Sequence, residues 1–214
     1  MPAAAPRSKR ARPAALEGRV WTLALPSLGK IRGIAVATDG TIFVSTKSAL
    51  FIITLTGRMT LLAGSRSQTG YADGQGDKAR FNWPTGLAVM ADGSLLVADW
   101  GNHRLRQVSL DGTVTTVAGS GQAGHSDGAG TAARFDCPSG IVVDRHGTIF
   151  VSDMWNHCIR KVTPGSWAVS TLCGSKERQA GHADGAGADA RFSYPRGLSL
   201  DTEGHLIRSE EHTS

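Results

Sequence analysis

"GHSDGAGTAARF", residues 124–135, has two near copies in the same chain: "GYADGQGDKARF" at 70–81 and "GHADGAGADARF" at 181–192. Self-similarity at a fixed period marks a repeat architecture, so the segments between the copies should match as well. They do. "PTGLAVMADGSLLVADWGNHRLRQVSLDGTVTTVAG" (84–119) lies over "PSGIVVDRHGTIFVSDMWNHCIRKVTPGSWAVSTLCG" (138–174). A more divergent copy reads "IRGIAVATDGTIFVSTKSALFIITLTGRMTLLAG" (31–64), and another begins as "PRGLSLDTEGHLI" (195–207). Gly33, Gly86, Gly140 and Gly197 mark the period, at spacings of 53, 54 and 57 residues.

Each copy is strand-like throughout. "GLAVM" and "SLLVAD" are short apolar runs joined by Asp92-Gly93, a strong hairpin signal. "RLRQVSL" alternates, and Asp111-Gly112 turns the chain into "TVTTVAG". No window shows sustained 3.6-residue periodicity. The first two strands are almost wholly apolar, as suits sheets covered on both faces, while the third and fourth are more polar. A four-stranded unit repeated radially is a β-propeller blade. The fold class is therefore all-β, an incomplete propeller spanning 20–207, with blades at 31–64, 84–119 and 138–174 and the start of a fourth at 195–207. The twelve-residue phrase is then the connector between blades. Gly-x-x-Asp-Gly provides its turn, Ala-Arg-Phe a helical half-turn before Pro84, Pro138 or Pro195, and Phe81, Phe135 and Phe192 plug the crevices between neighbouring blades. "VWTLA" (20–24) occupies the register of a fourth strand with no blade of its own.

"DGSLLVADWGNHRLRQV" (92–108) and "HGTIFVSDMWNHCIRKV" (146–162) resemble NHL repeats: an apolar run ending in Asp, two residues, Asn, another residue, then Arg-Ile/Leu. The resemblance implies a propeller, six-bladed in most members, and the long connector is similar to that of NHL propellers fused to thioredoxin-like domains. This chain departs from the pattern in its first copy, where Thr46, Ala49 and Phe51 replace Asp, Asn and Arg. In the third copy Cys158 stands where Arg104 stands. A catalytic role repeated in every blade would not survive such decay, whereas a structural one could.

Composition narrows the function classes. The net charge of +5 sits mostly in residues 1–19, an Ala/Pro/Arg tail too poor in apolar residues to fold, and 20–207 carry only +2. That near-neutral body argues against a nucleic-acid partner. The tail has no apolar core of a secretory signal; its Arg-rich, acid-poor composition is compatible with part of an organelle transit peptide, and "SKRAR" with a nuclear address. No run approaches the ~18 apolar residues of a membrane span. Cys137, Cys158 and Cys173 show neither disulfide-framework nor zinc-ligand spacing, which favours a reducing, intracellular and cytoplasmic setting. The final "RSEEHTS" (208–214) matches the translation of a common sequencing adaptor and is expected to pack against nothing.

Several motifs invite chemistry and are better read as architecture. The connector's Gly-x-Gly-x-x-Ala matches a dinucleotide fingerprint on paper, but strands resume within a few residues and no full helix follows. Asp73 and Asp77 resemble part of a calcium loop, yet Thr131 and Ala188 replace Asp77 in the other copies, so Asp73 reads as a turn former. Asp99 with Asn102, and Asp153 with Asn156, sit at the bend between second and third strands. There Asp accepts backbone N–H bonds and Asn tolerates a left-handed conformation. His103, His157, His125 and His182 recur, but the first copy has Leu50 and Tyr71 instead, so no ring of ligands is complete. No catalytic residue, metal or cofactor is assigned. Trp100, His103, Arg104, Arg106, Trp155, His157 and Arg160 are the candidate interface residues, since Trp and Arg favour interfaces. The expected function is a non-catalytic scaffold that binds another protein or another domain of its own chain. The alternatives are a propeller hydrolase or lyase with a central metal, and an RNA-binding NHL propeller.

Overall fold

The computed structural model describes residues 28–175 and 177–210. Four antiparallel sheets follow one another along the chain. The first blade is β1 (Gly33–Val36), β2 (Ile42–Ser45), β3 (Ala49–Ile53) and β4 (Met59–Gly64), in that spatial order. After the short β5 (Gly74–Gln75) come β6 (Pro84–Val89), β7 (Leu95–Asp99), β8 (Arg104–Val108) and β9 (Thr113–Ala118). The next unit has β10 (Gly128–Ala129), β11 (Pro138–Val143), β12 (Ile149–Asp153), β13 (Cys158–Thr163) and β14 (Ala168–Gly174), and the last has β15 (Pro195–Leu200) and β16 (Leu206–Glu210). Among the described residues the sheets form an arc that does not close. Among the described residues, no helix is long and apolar enough to cross a membrane.

Period-two patterning builds the core. In β7, Leu95 and Val97 face back to the first blade and join Phe43, Leu50 and Leu62 around Phe81. Leu96 and Ala98 face forward and join Ile141, Ile149 and Val151 around Phe135. Phe192 lies in the same way between Ile159 and Leu198. Phe81 and Phe135 are fully buried, so each contributes roughly 1.5–3 kcal/mol of apolar burial to a junction between sheets.

The innermost strands, β1, β6, β11 and β15, approach so closely that three glycines are required, the tightest being Gly33, whose Cβ would lie 1.8 Å from the Thr85 carbonyl oxygen. A Cβ on Gly86 would lie 2.2 Å from the Ser139 carbonyl oxygen, and one on Gly140 would lie 2.1 Å from that of Arg196. A Cβ on Gly197, at the open end, would meet nothing nearer than the Ser209 hydroxyl at 3.0 Å. These glycines mark the period because they set the blade-to-blade distance.

The connector does more than turn. Its Asp-Gly-x-Gly step contributes a short fifth strand to the following sheet: β5 pairs with β9, and β10 with β14. The 3-10 turns fall at Gly76–Lys78, Gly130–Ala132 and Gly187–Asp189, ahead of the Ala-Arg-Phe expected to form them. Arg208–Glu210 also differ from expectation: they complete β16, with Pro195 opposite Glu210 and Leu198 opposite Arg208, instead of packing against nothing. The strand expected at 20–24 lies outside the described residues.

Candidate functional site

The bend after the second strand of a blade is the densest polar feature, and it is built twice. Asp99 and Asp153 are completely buried at the ends of β7 and β12. Oδ1 of Asp99 accepts the Asn82 N–H, and Oδ1 of Asp153 accepts the Asp136 N–H, so the backbone amide each carboxylate binds belongs to the connector and not to its own turn. Oδ2 accepts from Asn102 or Asn156 at 2.8 Å, and those amides also donate to the Gly70 or Gly124 carbonyl.

Arg106 and Arg160 complete the network from the neighbouring strand. Arg160 donates to Asp153 Oδ2, Asp127 Oδ1 and the carbonyls of Arg134 and Ser126. Arg106 does the same with Asp99, Asp73, Arg80 and Ala72. Both guanidinium side chains are 0% exposed. They therefore cannot serve as the surface anchors suggested by their residue type, because two carboxylates and two carbonyls enclose each one. Asp73 and Asp127 are accordingly ion-pair partners as well as turn residues. They stand 33 residues before their arginines in both copies, a constant offset the sequence carried and the turn reading missed. Desolvation raises the pKa of Asp99, and that of Asp153 to about 6, against the pull of their arginines and amide donors.

The left-handed residue of the bend is His103 or His157, each with φ of 52°, and not the preceding Asn. Nδ1 of His103 accepts the Cys137 N–H at 3.1 Å, and Nδ1 of His157 accepts the Tyr194 N–H at 3.2 Å. Cys137 and Tyr194 have positive φ themselves, immediately before Pro138 and Pro195, so a strained residue of one blade locks a strained residue of the next. Desolvation lowers the pKa of both histidines, consistent with neutral rings that accept. The first blade has a shorter bend, in which Ser48 takes the place of histidine before β3. There Trp83 N–H donates to the Lys47 carbonyl.

His103, Asp136 and Cys137 bring three donor atoms within 4.8 Å, a juxtaposition that sequence spacing did not reveal. Each donor is already engaged. The His103 lone pair takes the Cys137 amide, Asp136 pairs with Arg178, and desolvation with the nearby Asp136 pushes the Cys137 thiol up to about 12. The His157–Tyr194 junction repeats the same geometry without Cys or Asp. The cluster is a blade junction.

The other candidate interface residues are only partly available. Arg104 lies 3.8 Å above the Tyr71 ring and donates to the Ser120 carbonyl, and His157 packs against Tyr194 with ring centroids 4.5 Å apart. Trp155 is 46% exposed and meets Tyr194 edge-on. Trp100 sits 6.5 Å from Trp83, and the pair opens onto a groove along the innermost strands.

That groove has a volume of about 580 Å³. Successive blades supply register-equivalent residues to it: Arg32, Thr85, Ser139 and Arg196, followed two positions on by Ile34, Leu87, Ile141 and Leu198. Ile31, Trp83, Trp100, Met154 and Lys30 also line it, and among the described residues no carboxylate does. Burial lowers the pKa of Arg32. Neither Arg32 nor Trp83 was distinguishable as a site residue in the sequence: arginine recurs at that position only in the last copy, as Arg196, and Cys137 and Tyr194 stand where Trp83 stands.

Known proteins agree with this architecture. The NHL repeat family pattern matches residues 81–108 and 135–162, each span running from a plug phenylalanine to the end of a third strand. The chain is 32% identical over 158 residues to NHL repeat-containing protein 2 of Bos taurus, covering 68% of this chain and 22% of that protein. It is 31% identical over 115 residues to Protein SUPPRESSOR OF QUENCHING 1, chloroplastic, of Arabidopsis thaliana, covering 50% of this chain and 11% of that one. The chain thus spans about a fifth or less of the length of these relatives. Among solved structures, a protein of unknown function from Bacteroides thetaiotaomicron superposes with a TM-score of 0.72 at 24% identity, over 85% of this chain and 45% of that one. A chain of the nidogen/laminin complex superposes with a TM-score of 0.54 at 18% identity, over 81% of this chain and 53% of that one. With the repeat, the blades and the Asp–Asn–Arg bend all in place, this chain belongs to the NHL-repeat family of β-propellers.

Proposed function

We propose that the chain is a binding module that engages another protein, or another domain of its own full-length chain, through the groove along its innermost strands. One observation carries this reading. The residues with catalytic potential, Asp99, Arg106, His103 and their counterparts Asp153, Arg160 and His157, are consumed in contacts that join connectors and blades. What is left open is a concave surface of aromatic, aliphatic, hydroxyl and basic side chains, a composition suited to recognition. Trp83 and Trp100 supply the large rigid anchors that concentrate binding energy.

The test is a comparison of the proteins retained by the 214-residue chain with those retained by Trp100→Ala and by Arg58→Ala, a control on the distant hairpin after β3. A partner held by the parent and the control but lost with Trp100→Ala supports groove-mediated binding. Retention indifferent to Trp100 refutes it.

A further inference from the structure

The groove contains an anomaly. Arg32 stacks on Trp83 with its guanidinium carbon 3.5 Å from the ring centroid, and its Nε is buried without a hydrogen-bond partner. Among the described residues no carboxylate pairs with it, in contrast to Arg106 and Arg160, whose donors meet two carboxylates each. A second cation, Lys47, lies 5.9 Å from the same ring. Buried polar groups in folded proteins are ordinarily satisfied, and a guanidinium stacked on an aromatic face with an unpaired, buried Nε–H can receive an anion.

The rest of the lining defines what carries the anion. Lys30 and Arg32 sit at the first-blade end of the arc and Arg196 at the last. Between them the floor is Leu87, Ile141 and Met154 with the hydroxyl residues Thr85 and Ser139. A nucleic-acid strand presents a phosphate at every nucleotide and wants a continuous basic track with bases stacked along it. Cations at the two ends with an apolar middle match an extended segment that carries carboxylates beside apolar side chains.

Resting on the groove reading above, we propose that the groove seats an acidic, apolar peptide segment of a partner, with a carboxylate bound by Arg32 against Trp83. The Nε–H and terminal N–H groups of a guanidinium form a fork that a carboxylate can meet with two parallel hydrogen bonds. Thr85 and Ser139 then face the peptide backbone, and Trp100 and Met154 face its apolar side chains.

The experiment uses the 214-residue chain and a fluorophore-labelled peptide alternating glutamate and leucine, followed by polarisation. The expected result is saturable binding that weakens about tenfold in Arg32→Gln and about tenfold when glutamine replaces glutamate in the peptide. Arg58→Gln should bind as the parent does, and circular dichroism checks that Arg32→Gln is folded. Equal binding by the glutamine peptide, or equal binding by folded Arg32→Gln, overturns the proposal. So does an oligouridylate that binds more tightly than the peptide, or displacement of the peptide by millimolar inorganic phosphate. If the acidic peptide fails while a protein is still lost with Trp100→Ala, the ligand class is wrong and the groove reading stands. If retention ignores Trp100, the groove reading itself fails.

Discussion

Replacing Arg160 by Phe tests whether the buried ion pairs hold the blades together. Arg160 is 0% exposed and makes four hydrogen bonds, two of them to carboxylates. Its removal leaves Asp153 buried with two neutral donors, Asn156 and the Asp136 amide, and no cation. An uncompensated buried charge costs about 3–5 kcal/mol, or about 6–20 °C in Tm for a chain of this size. The first blade shows another solution at the same positions, where Phe51 and Thr46 occupy the register of Arg160 and Asp153 and remain buried. The double variant Asp153→Thr/Arg160→Phe should therefore recover more than half of the loss. The pH dependence has a definite sign. Asp153 is already raised to about 6 by desolvation, and losing Arg160 removes a contribution that lowers it. A carboxyl whose folded pKa exceeds its unfolded one loses stability as pH rises, so the single variant should be less impaired at pH 5 than at pH 8. Urea denaturation followed by tryptophan fluorescence measures all three. A single variant within about 1 kcal/mol of the parent, or a double variant no better than the single, refutes the reasoning.

Gly140→Ala should cost about 1–3 kcal/mol or more, because its Cβ would stand 2.1 Å from the Arg196 carbonyl, while Gly197→Ala should be tolerated; equal thermal shifts would contradict the role of these glycines. His103 and His157 have lowered pKa values as neutral acceptors, so their contribution is complete above the unfolded histidine range and is lost as pH falls below it. Replacing both with Gln should flatten the stability profile between about pH 5 and pH 7, as measured by denaturation at each pH. Ile34 and Val36 are 62% and 61% exposed, whereas Leu87 and Ile141, which correspond to Ile34 in the following blades, are 8% and 5% exposed. The 214-residue chain should therefore self-associate, and Ile34→Glu should shift its sedimentation toward monomer. Deleting residues 1–19 should abolish most RNA affinity and its salt dependence in a filter-binding assay, since most of the net positive charge lies there.

The repeat was legible in the sequence because its causes are local. Alternating apolar residues, Asp-Gly turns and a glycine every 53–57 residues suffice to specify short strands in four-stranded units. The plug phenylalanines were legible too, since a large apolar residue in a polar connector needs a core to enter. Other features depended on distance. Arg106 and Arg160 are chemically indistinguishable in sequence from surface arginines; only folding places Asp99 and Asp73, or Asp153 and Asp127, around them. The left-handed residue of the bend is His and not Asn because the imidazole must reach an amide in the next blade, 34 residues away for His103 and 37 for His157. Arg32 and Trp83, separated by half a hundred residues, meet at 3.5 Å because the close approach of Gly33 to Thr85 brings the innermost strands of the first two blades side by side. Local periodicity thus determines the blade, while charge burial and ligand-facing geometry arise between blades, where only the tertiary structure brings distant residues into contact.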